Sequence, residues 1–481
     1  MFVSWLAKLP FTLVVEAPTI ADIRRWPRHR PFWLILIVVA VAVGTTWAIH
    51  RESASRQPAD TTAMRVETTP VGARILVDGQ MRGLTPANIP MSAGKHVVRL
   101  QMAGFAEAAY GVTPSAGGSD AIAARLWKAQ PQVASLHPTV PGTTIANAQF
   151  LRDGRVALTL SLPTGSQQVW LVDSTGHSRQ AGAGQLAQRI AISADASSIA
   201  TATASDSSGI ASRPTTVQVA PAGRSAAGKT VYTMDPRVGD DITDLAWAPD
   251  GSHLLVAVRT HAGPGSETRL FWVNTSDASA TQLVQFPGDV VAGSEDWLAD
   301  SSAMALLIHT QAAVALCVLQ LPGGALHYLA DTASNSTSAA PFAPLTWSPD
   351  GAQVLYEGAP PSSSLALGWF ASKPSVPLLI SNLDGSGSRK VAGPGAEFPV
   401  WRPDQSLVGF AKADSGKPIP LISISPPNAG EKLAEVPLPT NSQLRARWDL
   451  MHDQALVGAT DGGGFNPPTY WWVRFGPEAA A

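Results

Sequence analysis

Apolar residues follow two different patterns along this chain. Residues 32–49, FWLILIVVAVAVGTTWAI, form an uncharged apolar run. From residue 65 onward, apolar and polar positions alternate over short stretches punctuated by Gly, Pro and Asp. The continuous run predicts a membrane-spanning helix: its eighteen residues at about 1.5 Å each span roughly 27 Å, close to the roughly 30 Å of bilayer hydrocarbon. Trp33 and Trp47 stand near its ends, where indoles favour the interface. The alternating stretches predict strands. Arg74-Ile75-Leu76-Val77, His96 to Leu100, Leu254 to Val258, Met304 to Ile308 and Val354 to Tyr356 are the clearest. The expected class is therefore all-β, preceded by one transmembrane helix.

The flanks give the helix a direction. Residues 1–31 carry five basic side chains (Lys8, Arg24, Arg25, Arg28, Arg30) against Glu16 and Asp22, whereas the rest of the chain holds 29 basic and 34 acidic residues. Positive charge stays on the cytoplasmic side. Residues 1–31 are thus expected as a cytoplasmic tail, 32–49 as the anchor in the cytoplasmic membrane, and the bulk as extracytoplasmic. No A-x-A cleavage site and no lipidation cysteine follow the run, so it reads as an uncleaved signal anchor. The polar stretch at residues 50–64 reads as a tether.

Residues 65–127 predict a small β-sandwich. Its turns fall at Pro70-Val71-Gly72-Ala73, Asp78-Gly79, Gly83-Leu84-Thr85-Pro86, Ser92-Ala93-Gly94 and Gly104-Phe105. This ordered set resembles the PEGA domain family, with Val71 where the family name spells glutamate. The resemblance implies an envelope-facing accessory module without catalytic residues. It also implies a structural role for His96, which in isolation resembles a base or metal ligand.

After a linker at 128–142, one unit recurs through residues 143–481: an apolar strand, an aromatic residue and a turn centred on aspartate. It is seen at Phe150/Asp153, Ile192/Asp195, Trp247/Asp250, Trp297/Asp300, Trp347/Asp350, Trp401/Asp404 and, in degenerate form, Trp448/Asp453. The aspartates lie 42, 55, 50, 50, 54 and 49 residues apart. A period near 50 with several strands per unit indicates propeller blades; seven are expected, with six or eight left open because terminal strands can be shared. Each tryptophan is expected to pack between neighbouring blades, and each aspartate to hold turn amides. The Trp-Ser-Pro-Asp-Gly wording resembles WD-like repeats of the Tol-Pal translocation propeller and of prolyl oligopeptidase N-domains.

Composition narrows the function. A net charge of −2 and the absence of a basic stripe argue against nucleic acid. The single cysteine, Cys317, sits in an apolar strand and reads as a small core residue. No phosphate loop, dinucleotide fingerprint, H-E-x-x-H or zinc-spaced cluster occurs, so no cofactor or metal is expected. The peptidase reading lacks a G-x-S-x-G elbow after the repeats. Histidines 253, 261, 309, 327 and 452 are scattered, and the loops at 263–266 and 461–468 read as surface turns. Tyr470-Trp471-Trp472 has the makings of a sugar platform but reads as blade packing. The expectation is a non-enzymatic scaffold or sensor of a bacterial cell envelope, binding a protein, a cell-wall glycan or a small ligand. The alternatives are a propeller enzyme, such as a polysaccharide lyase or glycosidase, working from the central channel, and a signalling partner whose tail contacts a kinase.

Overall fold

The computed structural model describes residues 62–114, 121–138, 140–183, 187–203, 214–223, 228–234, 240–260, 266–310, 314–331, 342–357, 378–391, 396–402, 406–411, 417–424, 426–438, 443–460 and 469–476. The expected tail, anchor and nearly all of the tether lie outside these residues. Among the described residues no helix is long and apolar enough to cross a membrane. The chain divides into two compact units. One comprises residues 1–62, 90–93 and 115–118, of which 62 and 90–93 are described; the other holds everything else.

The second unit begins with the sandwich, apart from the strand ends Thr62, Pro90 and Met91, which are counted with the first. Its strands are β1 (Thr62–Thr69), β2 (Arg74–Val77), β3 (Gln80–Leu84), β4 (Ala87–Met91), β5 (His96–Gln101), β6 (Ala108–Val112) and β7 (Ala121–Arg125). They form two sheets, β4-β1-β7 and β3-β2-β5-β6, with β1 and β7 parallel. Alternation sends Val66, Ile75, Val98 and Leu100 inward, where all are fully buried. The turns are tied together by Thr85. Its hydroxyl accepts from the Gly72 and Ala73 amides at 3.1 and 3.0 Å and shares a hydrogen bond with Thr68. Pro70 and Pro86 flank these contacts, both after cis peptide bonds. Asp78 heads the β2–β3 turn with φ 51° ahead of Gly79 at 81°, a left-handed pair suited to a tight hairpin. Its carboxylate accepts from the Val97 amide at 2.9 Å and meets His96 Nδ1 at 2.7 Å. His96 thus serves this turn. Gly83, Gly94 and Gly104 also have positive φ.

Beyond the sandwich the described strands form seven antiparallel sheets. The first runs through Thr144–Phe150, Val156–Ser161, Gln167–Val172 and Ser178–Ala183. The next five cover 187–233, 241–287, 289–331, 345–390 and 396–436. The seventh combines Gln443–Asp449, Gln454–Thr460 and Thr469–Arg474 with β8 (Gln132–Leu136). Residues 128–142, expected as a linker, therefore supply the outer strand of the last sheet. The alternation of Val133 and Leu136 with polar neighbours was too short to separate from a tether.

Apolar clusters join each sheet to the next. Leu151 and Ala157 of the first pack with Ile190 and Ile199 of the second, and Ala200 and Val217 of the second with Ile242 and Leu254 of the third. The same holds for Leu255 with Met304, Leu316 with Val354, Leu355 with Trp401 and Val408 with Val457. Leu456, Tyr470 and Trp472 of the seventh then pack on Ile145 and Leu158 of the first. Sheets packed face to face in sequence and back to the start form a β-propeller. Arg447, on the first strand of the seventh sheet, donates to the Ala148, Gly293 and Glu295 carbonyls at 3.2, 3.1 and 2.8 Å. Those carbonyls belong to the first and fourth sheets, so the first strands face a common axis that Arg447 crosses. The guanidinium also lies over Phe342, 4.6 Å from its ring centroid.

The sandwich rests on the last two sheets. Trp127, just after β7, stacks on Trp448 and Phe475 with centroids 5.9 and 4.8 Å away, and its Nε1 donates to Asp453 at 3.0 Å. Arg125 pairs with Asp453 at 2.7 Å, and Arg402 lies over the Trp127 ring at 4.6 Å. The Lys128 amide donates to the Phe475 carbonyl at 2.8 Å.

Candidate functional site

The conspicuous repeat residues are occupied by architecture. Oδ1 of Asp153, Asp195, Asp250, Asp300 and Asp350 accepts the amide two residues on, at 2.8–3.1 Å. At Asp195, Asp300 and Asp350 a flanking serine hydroxyl holds the carboxyl below its ordinary range. At Asp153 and Asp250 partial burial opposes the shift, and donors in the turn outweigh it. Asp404 lies outside the described residues. In the seventh repeat the turn position belongs to Asp449, which accepts from Met451 at 3.1 Å, while Asp453 turns to the sandwich.

Phe150, Trp247, Trp297, Trp347, Trp401 and Trp448 each lie in the apolar layer between their own sheet and the preceding one. Tyr470 and Trp472 are buried in the layer closing the ring. His253 stacks on Trp272 at 4.7 Å, and His452 meets Asp449 at 2.7 Å. His261 and the segments 263–265 and 461–468 lie outside the described residues. Cys317 is buried, and burial pushes its thiol up to about 12.

The chemistry gathers elsewhere. A cavity of about 90 Å³ opens among the inner strands of the first four sheets. It arises because those strands are irregular at one level. Register shifts fall opposite Thr159/Leu160 in the first sheet, between Ala187 and Arg189 in the second, and between Ile242 and Asp244 in the third. The inner edge of the fourth is broken into Asp289–Val290 and Asp296–Trp297. Bulges of this kind re-aim side chains. They turn Asn147, Arg189, Asp244 and Glu295 into the cavity, beside Trp247 and Trp297. Gly293 permits the break: its φ is 79°, and a Cβ there would meet the Asn147 amide oxygen at 3.1 Å. The buried Ser294 hydroxyl accepts from the Leu307 amide at 3.0 Å and anchors the loop.

Electrostatics make this cavity unusual. Glu295 lies deep among the sheets yet keeps an edge open to the cavity. Burial first, then the charge and hydrogen bonding of Asp244, hold its carboxyl well above the ordinary range. Arg447 partly offsets this. Asp296 is raised to about 6 by burial, again offset by Arg447. Oδ1 of Asp244 accepts from the Leu245 amide at 2.8 Å, while, among the described residues, its Oδ2 and the Asn147 Oδ1 are buried without an N–H donor. A proton retained on Glu295 and donated to Asp244 accounts for both carboxyl observations.

Several of the cavity's donors, by contrast, are committed. Gln149 Nε2 donates to the Ile192 carbonyl at 3.2 Å, Trp247 Nε1 to Ala191 at 3.2 Å and Arg189 to Thr243. None of the described histidines lines the cavity. Among the described residues no three His, Cys, Asp or Glu side chains converge as metal ligands would.

The sequence reading missed these residues, and a faint signal for them existed. Asn147, Arg189, Asp244 and Arg445 each stand three positions before the residue at the repeat's aromatic position, Phe150, Ile192, Trp247 and Trp448. Polar residues at one recurrent place in otherwise apolar strands mark the side facing the axis.

Comparison with known proteins bears on the fold. Residues 61–130 match the PEGA domain family. No curated protein matches the chain. Among solved structures, an oligogalacturonate lyase from Vibrio parahaemolyticus is 12% identical with a TM-score of 0.42, covering 72% of this chain and 97% of that one. The β-propeller domain of the Trilobed protease from Pyrococcus furiosus is 12% identical with a TM-score of 0.39, over 69% and 97%. A virginiamycin B lyase from Staphylococcus aureus is 12% identical with a TM-score of 0.40, over 72% and 99%. At these values the likeness carries no reading of activity.

Proposed function

We propose that this chain is a seven-bladed propeller that binds a small polar ligand in its axial cavity. We further propose that residues 32–49 anchor it in the cytoplasmic membrane of a bacterium, N-terminus inside, with the PEGA-type sandwich and the propeller displayed in the cell envelope. The seven sheets with a cluster between every neighbouring pair, the last and first included, support the blade number. The uncharged run, its basic flank and the resemblance of the repeats to WD-like envelope propellers support the location.

One observation carries the binding role: a cavity lined by polar side chains from four sheets, in which, among the described residues, Asn147 Oδ1 lacks a donor and Asp244 Oδ2 has only the Glu295 proton. A fold that only needed to close its axis would fill it with apolar side chains. A thermal-shift panel of small polar compounds on the full-length chain tests this. Compounds that stabilise the chain should lose their effect in Asp244→Asn. Hits that persist unchanged in that variant, or a panel without hits, would remove the cavity from the account.

Asp244 and Glu295 also motivate an enzymatic reading, because a carboxyl held well above its ordinary range beside a second carboxyl is the arrangement of an acid–base couple. Their hydrogen-bond contact is too close for the glycosidase arrangement, in which the two carboxyls stand about 5–9.5 Å apart with the scissile bond between them. Binding is therefore the favoured role. Turnover of a glycan or peptide panel that disappears in Glu295→Gln would reverse that preference.

A further inference from the structure

Resting on the cavity being a binding site, we propose that it receives a primary ammonium group carried on a slim aliphatic stem. Counting donors and acceptors leads to this class. The guanidinium of Arg447 is held by three carbonyls, and Gln149 Nε2, Trp247 Nε1 and Arg189 Nε have partners. Among the described residues, the lining atoms buried without an N–H partner both accept, Asn147 Oδ1 and Asp244 Oδ2, and the Glu295 carboxyl, whose proton Asp244 receives, stands beside them. They come from three different sheets and face one space. An ammonium offers three N–H donors and no acceptor, so its hydrogen-bonding capacity matches what the cavity lacks. A carboxylate, phosphate or carbonyl ligand would instead add acceptors beside atoms that already lack a donor.

Size narrows the class. A cavity of about 90 Å³, at roughly 10–15 Å³ per water-sized occupant, holds about six to nine such atoms. That suits a slim alkyl-ammonium chain. Trp247 and Trp297 flank the space and offer apolar ring surface to methylenes and π-faces to a cation.

Binding has a proton cost that makes it recognisable. With the cavity unfilled, Glu295 holds its proton against Asp244. The other charged groups around it are Asp296 beside it in the chain, Arg447 on the seventh sheet and Arg189 across the cavity on the second. An entering ammonium makes that proton redundant, and it leaves to solvent. Affinity should therefore rise with pH, by up to about tenfold per unit while Glu295 is being uncovered, levelling once its carboxyl is already ionised.

Isothermal titration of the full-length chain with cadaverine, with a lysine-containing tripeptide and with 1,5-pentanediol tests the proposal. The diol keeps the length and removes the charge. Cadaverine or the peptide should bind, the stronger of the two showing whether a free amine or a lysine side chain is the natural form. The diol should bind at least tenfold more weakly. Proton release, read by repeating the titration in two buffers of different ionisation enthalpy, should accompany binding and vanish in Glu295→Gln. Asp244→Asn should weaken binding at least tenfold. Because either substitution could disturb folding, Asn147→Asp serves as a second readout, strengthening ammonium binding by adding charge at the same place.

Equal binding of the diol, or cadaverine binding unchanged in Asp244→Asn, would overturn the ammonium assignment. Silence from both amines, while another compound of the thermal-shift panel binds and is lost in Asp244→Asn, would sink the ligand class but leave the site. If no compound responds to the substitution, both readings fall together.

Discussion

Single residues carry unequal loads here, and burial decides which. Thr85 is 4% exposed and satisfies two turn amides. Thr85→Val keeps the shape and strands the Ala73 amide, at about 1–3 kcal/mol, while the Gly72 amide retains the Thr85 carbonyl at 2.9 Å. Urea unfolding should show a loss of about 1–3 kcal/mol; a loss under about 0.5 kcal/mol would mean the turns are held some other way. Asp296 works in the opposite direction. Its folded value of about 6 lies above the ordinary 3.8, so the fold prefers the protonated form. The stability it supplies is present below 3.8, is lost as pH rises towards 6, and becomes a constant penalty above that. Asp296→Asn removes the penalty. Its melting temperature should exceed that of the parent at pH 7, by an amount reflecting up to about 3 kcal/mol, and should match it near pH 4. Equal melting at both values would show that Asp296 is well solvated.

At the level of elements, the repeat was legible because its aromatic and turn residues answer to local rules. Trp247 fills an inter-sheet layer, and Asp250 meets the amide of Ser252. Both tasks recur from sheet to sheet among the described residues, so both leave a period in the sequence. β8 left none, because its partner Thr469–Arg474 lies over 300 positions away and its own five residues carry too little pattern. The cavity was illegible for a related reason. Its residues sit at register shifts and at a broken inner edge, where side-chain alternation no longer reports direction. Asp453 shows the same limit: from its spacing it reads as a turn residue, whereas its buried carboxylate meets Arg125 and Trp127. Those contacts make the sandwich and the last two sheets one cooperative element. Trp127→Ala removes the ring that Trp448, Phe475 and Arg402 share, at a cost of about 3–5 kcal/mol. Chemical denaturation followed by circular dichroism should then split into two transitions. A single unshifted transition would contradict the coupling.

Over the whole molecule, the ring concentrates its polar chemistry at its centre and spends its visible motifs on construction. Arg447 reaches from the seventh sheet to the first and fourth, so the axis is bridged and the cavity sits to one side of that bridge among sheets one to four. Occupation of the cavity should stiffen the inner strands of those four sheets together. Hydrogen–deuterium exchange of the full-length chain, with and without the compound giving the largest thermal shift, reads this directly. The account predicts slowed exchange confined to segments 144–150, 187–192, 241–247 and 289–297, and its loss in Asp244→Asn. Protection confined to the sandwich or the outer strands, with these four segments unchanged, would contradict the claim that the axial cavity is where this protein binds.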